Sequence, residues 1–446
     1  MVFMHYSKKI CLIFASITLT THAIQVHQVD ENIEFVSFSG AKPIAKKPKT
    51  DLRVMLLTTQ PFWGSVEHYH WLLHKALTKR GFDEIIVVDK GSPLQKQLIA
   101  DKLDHFAISL HRQFPLIDKT TFESPMKKSL RKLAQLYDID IIQLHNFQDK
   151  ELAVKALRGL PIKIVNMLHQ DFFPRPNRFD GLDGFLALNK DVLNHAKKIN
   201  TEYKIGVRHF KHIYLLCDQS KFLRYRKPTL SRKQFFKKNY NIELTDAPVI
   251  CMMSQFYGKE SHIKTETQFR KNQSLLIQAA AKLVYERNKP IHVMFAGDGI
   301  SRAWHEALAK ELKLDQYVHF LGFCSAPQDI FHYSDFQVHT AIGEALGAVF
   351  IEAGYMKKPS IGASGTGAEY IIANGQTGLI FKNNDLEDLT NKIEFMIDHP
   401  DERKQMGKNV YDLVTGKKSF GKKNLTFLEN IQVKSIRSFY KKIIKK

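Results

Sequence analysis

The fold is decided by the stretch HTAIGEALGAVFIEAGYMKKPSIGASGTG, His339–Gly367. It starts at the end of FQVHT, which predicts a buried strand, continues through the loop AIGEALG and enters AVFIEAGYMK, which predicts a helix. A strand followed by a loop and a helix is typical of a parallel α/β sheet. The unpaired backbone N–H groups at the start of this helix should face the edge of the sheet and favour an anionic group such as phosphate.

Two carboxylates, Glu344 and Glu352, belong to this stretch. If helix geometry extended across the eight-residue interval, they would stand about 12 Å apart along the helix axis. A similar distance separates the ribose of a nucleoside diphosphate from the sugar it carries. Because carboxylates accept hydrogen bonds from hydroxyl groups, the pair is suited to hold both ends of a nucleotide sugar while amides and cations hold the diphosphate.

The alternation of strands and helices extends outward into two series, residues 51–222 and residues 247–420. A chain of 446 residues favours two domains of roughly 150–200 residues each, and each series predicts a Rossmann-like α/β domain. Residues 223–246 are basic and lack long hydrophobic runs, which indicates a linker, and residues 24–50 read as a polar connector. Ligands of such sheets bind beyond the carboxyl ends of the strands, so the cleft between the two domains is the expected site.

Residues 1–23 resemble a secretory signal, with Lys8 and Lys9 before the apolar run ICLIFASITL and small residues in THA after it. The run falls short of the roughly 20 apolar residues that span a bilayer. An uncleaved anchor and a simple apolar extension remain alternatives. We therefore expect an exported or membrane-associated protein, with a cytoplasmic protein peripheral at the membrane as the alternative.

The net charge of +21 implies an anionic partner, whether nucleic acid, acidic lipid or a phosphorylated small molecule. No nucleic-acid-reading element is recognisable, so we expect no nucleic-acid partner. The four cysteines, Cys11, Cys217, Cys251 and Cys324, show no metal-ligand spacing and are interpreted as buried thiols.

Two short motifs could suggest a metal site. The motif DID, Asp138–Asp140, runs directly into the apolar strand IIQLHN, which argues against a metal-binding Asp-x-Asp. His70 and His74 share one helical face at a spacing that can bind zinc, but the sequence supplies no third ligand nearby, and packing is the better interpretation. The sequence therefore predicts no metal.

The pattern of a glutamate, seven residues and a second glutamate, followed by EAGYMKKPS, resembles the retaining family 4 (group 1) glycosyltransferases of the GT-B fold. The segments FAGDG, VHFLGF, SDFQVHT, GAEYIIANGQTGLIF and NDLEDLTNKI match that family in order. The first half matches more loosely, through WGSVEHYHWLLHKALTKRG and DIDIIQLHN. The resemblance implies two Rossmann-like domains facing across a cleft, with a C-terminal helix that crosses back to the N-terminal domain.

The resemblance also implies roles for individual residues. Glu352 would hold the ribose hydroxyls, Glu344 would contact the donor sugar, and Lys271 would neutralise the diphosphate. His169 would lie near the sugar and diphosphate, and Gly64 would let the first loop approach the phosphates. Three further glycines would permit close approach or shape the donor loop: Gly347, Gly365 and Gly367.

The function implied by the resemblance is metal-independent transfer of a sugar, with retention, from a nucleoside-diphosphate sugar to a hydroxyl of a glycan, lipid or protein acceptor. The donor is a substrate, and no cofactor is expected. Alternatives are a catalytically silent nucleotide-sugar-binding protein, and an epimerase or phosphorylase on the same fold. The silent alternative arises because Gln255 and Cys217 stand where the family usually has arginine and glycine. An insertion offers replacement cations in Lys259, Lys264 and Arg270.

The C-terminal segment, residues 421–446, is strongly basic, and Ile436, Phe439, Tyr440 and Ile443 fall on one helical face. The family resemblance implies that this helix packs on the N-terminal domain. The mixture of apolar and basic residues also fits a helix lying in an anionic membrane surface, and a solvated charged tail is the third alternative.

Overall fold

The computed structural model describes residues 24–30, 32–39, 52–59, 65–109, 119–145, 147–168, 176, 179–256, 271–344, 346–420 and 429–445. The signal-like segment, Gly64, His169 and the three cations of the insertion lie outside the described residues. None of the described helices is long and apolar enough to cross a membrane.

The N-terminal domain is built on a nine-stranded sheet within the described residues, in the order β1-β2-β5-β4-β3-β6-β7-β8-β9. Its strands are β1 (Gln25–Asp30), β2 (Ile33–Ser37), β3 (Val54–Thr58), β4 (Glu84–Asp89), β5 (His105–Ile108), β6 (Ile141–Leu144), β7 (Lys163–Leu168), β8 (Gly184–Ala187) and β9 (His209–His212). Its helices are α1 (Ser65–Thr78), α2 (Pro93–Ala100), α3 (Lys119–Leu136), α4 (Phe147–Ala156) and α5 (Lys190–Glu202). Strands β3 to β9 are parallel and mostly buried, as the apolar runs predict.

Two short helices lead from this domain to the second one: α6 (Gln219–Leu223) and α7 (Arg232–Tyr240). The second sheet is parallel, with the doubly wound order β12-β11-β10-β13-β14-β15. Its strands are β10 (Val249–Met253), β11 (His292–Ala296), β12 (Val318–Gly322), β13 (Phe336–His339), β14 (Ser360–Ala363) and β15 (Gly378–Phe381). The two Rossmann-like domains predicted from the sequence are confirmed.

Helices cover both faces of the second sheet. They are α8 (Gln273–Ala281), α9 (Arg302–Glu311), α10 (Pro327–Tyr333), α11 (Ala348–Tyr355), α12 (Ala368–Ile371), α13 (Leu386–Asp398) and α14 (Pro400–Val414), and a π-helical turn (Lys282–Glu286) extends α8. The last helix, α15 (Glu429–Ile444), leaves this domain and packs on the first.

The polar connector predicted for residues 24–50 is wrong over β1 and β2. These strands form an antiparallel hairpin, and β2 pairs with β5 in the register Ile33↔Ile108. Phe35 packs on Phe106 with ring centroids 4.7 Å apart. The hairpin joins the domain because β2 offers three apolar side chains, Ile33, Phe35 and Val36, that the sheet buries.

The linker predicted for residues 223–246 is also more ordered than expected, since it contains α7. Ser231 caps this helix in a capping box with Gln234. Phe235 and Phe236 are buried, and Phe235 stacks on Tyr333 with ring centroids 4.3 Å apart. The basic composition belongs to the solvent-facing side of α7, while the two phenylalanines attach the helix to the C-terminal domain.

The C-terminal helix crosses back as predicted. Ile436, Phe439, Tyr440 and Ile443 are all at most 4% exposed. The hypothesis that these four side chains enter a lipid surface is wrong, because the core of the N-terminal domain already holds them. The same amphipathic pattern suits a lipid surface or a protein core, and in this protein the apolar face packs in the core.

Candidate functional site

The predicted site residues Lys271 and Glu344 form an ion pair at the carboxyl edge of the second sheet. Lys271 directly precedes α8, and Glu344 lies in the loop between β13 and α11. Their side chains are 23% and 16% exposed, so the pair borders the cleft while water reaches it.

Backbone anchoring holds Lys271 in place. The Thr340 hydroxyl at the end of β13 lies 3.0 Å from the Lys271 carbonyl and 2.7 Å from the Asn272 carbonyl. Asn272 adopts the left-handed conformation, with φ of 50°, which turns the chain sharply into α8. These contacts fix where the lysine side chain begins, so its ammonium is directed to Glu344.

Glu344 is ionised in this environment. Burial raises its pKa, but the Lys271 ammonium and a 3.3 Å contact with His339 Nε2 outweigh burial and hold the pKa well below its usual range. Burial also lowers the pKa of His339, which favours the neutral imidazole. The site therefore presents a fixed carboxylate beside a fixed ammonium.

Gly347 sets the geometry of the turn into α11. Its φ is +77°, and a Cβ atom there would lie 2.7 Å from the ring of Phe350 and 3.2 Å from Glu344 Cγ. This glycine is thus required for packing the Glu344 loop on the helix, and its close approach to a donor stays a prediction. The helix α11 begins at Ala348, as predicted, so Glu344 lies in the loop and helix geometry does not extend across the interval between the two glutamates.

Glu352 lies in α11 in an environment opposite to that of Glu344. Burial raises its pKa to about 7, the nearby Lys221 ammonium lowers it, and Asp218 raises it further. Lys221 itself donates to the Ser325 carbonyl at 2.8 Å. This carboxyl can therefore lose or gain a proton near neutral pH.

Two neighbouring cavities bring these groups together. A small cavity of about 60 Å³ is lined by both glutamates, Gly347, Cys217 and His68. A larger one of about 610 Å³ lies between the domains and shares His68 and Glu352 with the first. Its remaining lining comes from both domains and includes Trp71, Lys96, Gln97, Asp218, Lys221, Phe323, Cys324 and Ser325. The predicted cleft is therefore present.

The loop with Gly365 and Gly367 lies beside the first glutamate. The Gly367 N–H donates to the Glu344 carbonyl at 2.5 Å. Gly365 has φ of +68° with open space where a side chain would be, so it serves the turn. The Thr366 hydroxyl donates to the Ala363 carbonyl at 2.7 Å and holds the loop against β14.

Some positions depart from the family pattern or suggested metal binding, and each of them is buried or contacts another residue of the protein. Cys217 is buried, and burial raises its thiol pKa. The Gln255 carbonyl accepts from the Gln273 side chain at 3.0 Å. Asp140 accepts from the Arg53 N–H at 2.9 Å, and His74 lies 2.8 Å from Glu84. In the part of the chain that the structure describes, no group of three His, Cys, Asp or Glu side chains could hold a metal ion.

Sequence reasoning missed the partners of the two glutamates. They are His339 beside Glu344, and Asp218 and Lys221 near Glu352. It also missed Thr340, which holds the backbone at Lys271. His68 was missed as well. It lines both cavities, and burial lowers its pKa to about 4, so its imidazole is neutral at pH 7. Only its place on the first helix of the domain, facing the cleft, could have indicated it.

Comparison with known proteins agrees with this architecture. Residues 265–413, about a third of the chain, match the sequence family described as Glycosyl transferases group 1. A structure of HepE from Anabaena in complex with UDP and glucose superposes with a TM-score of 0.70 at 15% identity, covering 88% of this chain and 100% of that chain. The superposition shows that this chain has the two-domain GT-B fold.

Two curated relatives extend the comparison. EpsD of Bacillus subtilis (strain 168) is 31% identical over 142 residues, which are 32% of this chain and 37% of EpsD. The N-acetyl-alpha-D-glucosaminyl L-malate synthase of Bacillus anthracis is 21% identical over 350 residues, which are 77% of this chain and 87% of that protein. The match to EpsD thus spans little more than a third of its length.

Proposed function

We propose that the protein transfers a sugar from a nucleoside-diphosphate sugar to an acceptor hydroxyl, with retention at the anomeric carbon and without a metal ion. The observation that carries this proposal is the Lys271–Glu344 ion pair at the carboxyl edge of the second sheet, with Glu352 on the same small cavity. Donor sugar, diphosphate and ribose would lie along this edge in that order.

Lys271 would stabilise the leaving group. When the bond between the anomeric carbon and the phosphate oxygen breaks, the diphosphate keeps the electron pair and gains charge. The Lys271 ammonium and the N–H groups at the start of α11 would stabilise that charge. The acceptor oxygen bonds to the anomeric carbon from the same face, and its proton passes to the departing phosphate oxygen.

The two glutamates would bind hydroxyl groups. The ionised Glu344 would accept hydrogen bonds from the donor sugar, and Glu352 would accept from the ribose. Because the compared HepE structure carries UDP and glucose, a uridine-diphosphate hexose is the first donor to test. His169 and Gly64, which lie outside the described residues, would complete the donor site from the N-terminal domain.

The acceptor would approach from the N-terminal domain, as a hydroxyl of a glycan, lipid or protein. We further propose that the protein acts outside the cytoplasm or at a membrane, on the strength of the signal-like residues 1–23. A cytoplasmic protein bound at the membrane surface is the alternative location.

A donor panel tests the proposed function. The full chain is incubated with UDP-, GDP-, ADP- and dTDP-sugars together with a mixture of simple glycosides and lipid-linked acceptors, with and without a chelator. We expect acceptor-dependent release of one nucleoside diphosphate, an unchanged rate with chelator, and a product whose anomeric configuration by NMR matches that of the donor. Binding without turnover would favour the silent alternative, an epimer formed without acceptor would favour the epimerase, and manganese-dependent activity would contradict the metal-independent mechanism.

A further inference from the structure

The positive charge of the protein is unevenly distributed. Residues 247–420 contain 19 Lys or Arg and 20 Asp or Glu, so the C-terminal domain carries almost no net charge. Residues 421–446 contain eight Lys or Arg and one Glu. The C-terminal domain therefore does not account for the total of +21. Residues 1–246 carry 39 Lys or Arg and 24 Asp or Glu, and the short C-terminal segment supplies a third of the total. A positive charge concentrated in so short a segment favours binding of an anionic partner.

Packing on the N-terminal domain fixes the orientation of α15. The Tyr440 hydroxyl donates to Gln143 within the core, and Gln432 accepts from the Tyr214 N–H at 2.9 Å. At the start of the helix, Glu429 pairs with Arg80 at 2.5 Å. These contacts and the buried apolar face determine which side of the helix faces solvent.

The solvent-facing side of α15 is basic from Lys434 to the end of the helix. Lys434, Arg437, Lys441, Lys442 and Lys445 are all exposed, and the Arg437 guanidinium lies 5.4 Å from the centre of the Phe82 ring. Glu429, the one carboxylate of the helix, pairs with Arg80 of the N-terminal domain at the first turn. The helix thus presents a row of cations at a spacing that rigid packing preserves.

The sheet edge beside α15 extends this row. The helix passes directly over Gly184 of β8, where an added Cβ would lie 2.7 Å from Ile443. Gly184 pairs with His209 of β9, and Lys211 stands on the same face two residues further along. Burial lowers the pKa of His209, the charges of Lys442, Arg208 and Lys163 lower it further, and Asp183 opposes them, so Lys442 of α15 lies near this sheet edge.

We propose that the outer side of α15 together with β9 is a docking surface for an anionic lipid bilayer. We call it the basic face, and define it by Lys434, Lys442, Lys445, Arg208 and Lys211. The helix and the sheet edge lie side by side, so their ammonium groups can reach the headgroups of one plane together. The partly exposed Ile431 and Ile444 provide apolar contact at the two ends of the helix.

This surface differs from an interfacial amphipathic helix, because the apolar side of α15 is buried in the protein core. Attraction to the membrane would therefore be almost wholly electrostatic, weak for each lysine and additive over the row. It would be reversible and sensitive to salt, since charges further apart than about 10 Å are screened at 0.1 M ionic strength. Neither feature depends on the proposed transferase activity.

Vesicle cosedimentation of the full chain tests the proposal. The vesicles are phosphatidylcholine alone, or phosphatidylcholine with one third phosphatidylglycerol, at 50 mM and 500 mM NaCl. We expect binding only to the anionic vesicles and only at low salt. The triple variant Lys434→Glu, Lys442→Glu, Lys445→Glu should bind them at least about tenfold more weakly.

The control places the same charge change on the C-terminal domain, at the exposed Lys310, Lys382 and Lys404. This triple glutamate variant should bind anionic vesicles like the wild type. Both variants are first shown to be folded by circular dichroism and thermal unfolding. Equal binding to neutral and anionic vesicles, an equal loss in both variants, or binding to duplex DNA or RNA in place of vesicles would overturn the proposal. UDP binding, measured on the same samples, reports separately on the transferase site.

Discussion

The two cleft glutamates have opposite electrostatic surroundings although they are eight residues apart. Glu344 is held ionised by Lys271, whereas burial raises the pKa of Glu352 to about 7. Among the described residues, Lys221 is the cation that lowers the pKa of Glu352, and Asp218 opposes it. Burial therefore disfavours the charged form of Glu352, and hydrogen bonds from hydroxyl donors would stabilise that form.

This difference predicts how Glu352→Gln changes stability with pH. A carboxyl whose pKa is raised by folding destabilises the folded protein above that pKa, and the penalty disappears as the pH falls toward the unfolded value. The neutral variant should therefore raise the free energy of unfolding by about 1–3 kcal/mol at pH 8 and leave it almost unchanged at pH 4.5. Urea unfolding of the ligand-free protein measures both, and a stabilisation that does not depend on pH would contradict this interpretation.

At the scale of elements, one ion pair joins α7 to the C-terminal domain. Arg232 binds both carboxylate oxygens of Asp335 at 2.9 and 3.0 Å, and Asp335 also accepts from the Val249 N–H at 2.8 Å. Burial raises the pKa of Asp335, but these donors outweigh it and leave the pKa below its usual value. The carboxylate therefore holds the start of β10, the start of β13 and the linker helix together.

Asp335→Ala should therefore destabilise the folded protein. It leaves a partly buried guanidinium and a strand N–H without their acceptor, and should lower the free energy of unfolding by about 3–5 kcal/mol. The matched control is Asp401→Ala, whose carboxylate is 92% exposed and lies 3.4 Å from Lys404. We expect the control to change stability by less than about 1 kcal/mol in the same urea titration. Similar values for both variants would mean that α7 is not attached through this pair.

The docking of α15 makes a second prediction at this scale. Ile436 is completely buried in the N-terminal core, while its neighbour Lys434 is exposed. Ile436→Ala should cost about 2–5 kcal/mol of unfolding free energy, and Lys434→Ala should be nearly neutral. Thermal and urea unfolding distinguish the two. A neutral Ile436→Ala would indicate that the apolar face is not packed in solution, and would restore the lipid-inserting alternative.

For the molecule as a whole, the features that the sequence predicts are those encoded by local patterns of apolar and polar residues. Apolar runs followed by glycine-containing loops identified both parallel sheets, since strands buried on two faces must be apolar throughout. The hairpin of β1 and β2 escaped because its pairing to β5 is formed across some 70 residues of chain. The pattern of α15 alone left its partner open because core and membrane favour the same pattern, and only the family resemblance implied packing on the N-terminal domain.

The residues of the candidate site also fall into those that a local pattern predicts and those that it does not. Glu344, Gly347 and Glu352 follow from one local pattern, the loop AIGEALG and the helix α11 that continues it. Lys271 came only from the family resemblance, and its contact with Glu344 is formed between two βα loops of the folded sheet. Asp218, Lys221 and His68 reach the cleft only when the domains face each other, and no spacing in the sequence encodes that.

The most direct test of the account is the affinity of Lys271→Met for a nucleoside diphosphate, measured by calorimetry. The substitution keeps the length of the side chain and removes the ammonium that would bind the diphosphate. For the tightest binder among UDP, GDP, ADP and dTDP, we predict a Kd at least about tenfold weaker than that of the wild type, as expected for a lost charge-assisted contact. The matched Lys310→Met, on the exposed side of α9, should leave Kd unchanged. Equal affinity in Lys271→Met and the wild type, or no binding of any of the four by the wild type, would contradict the account.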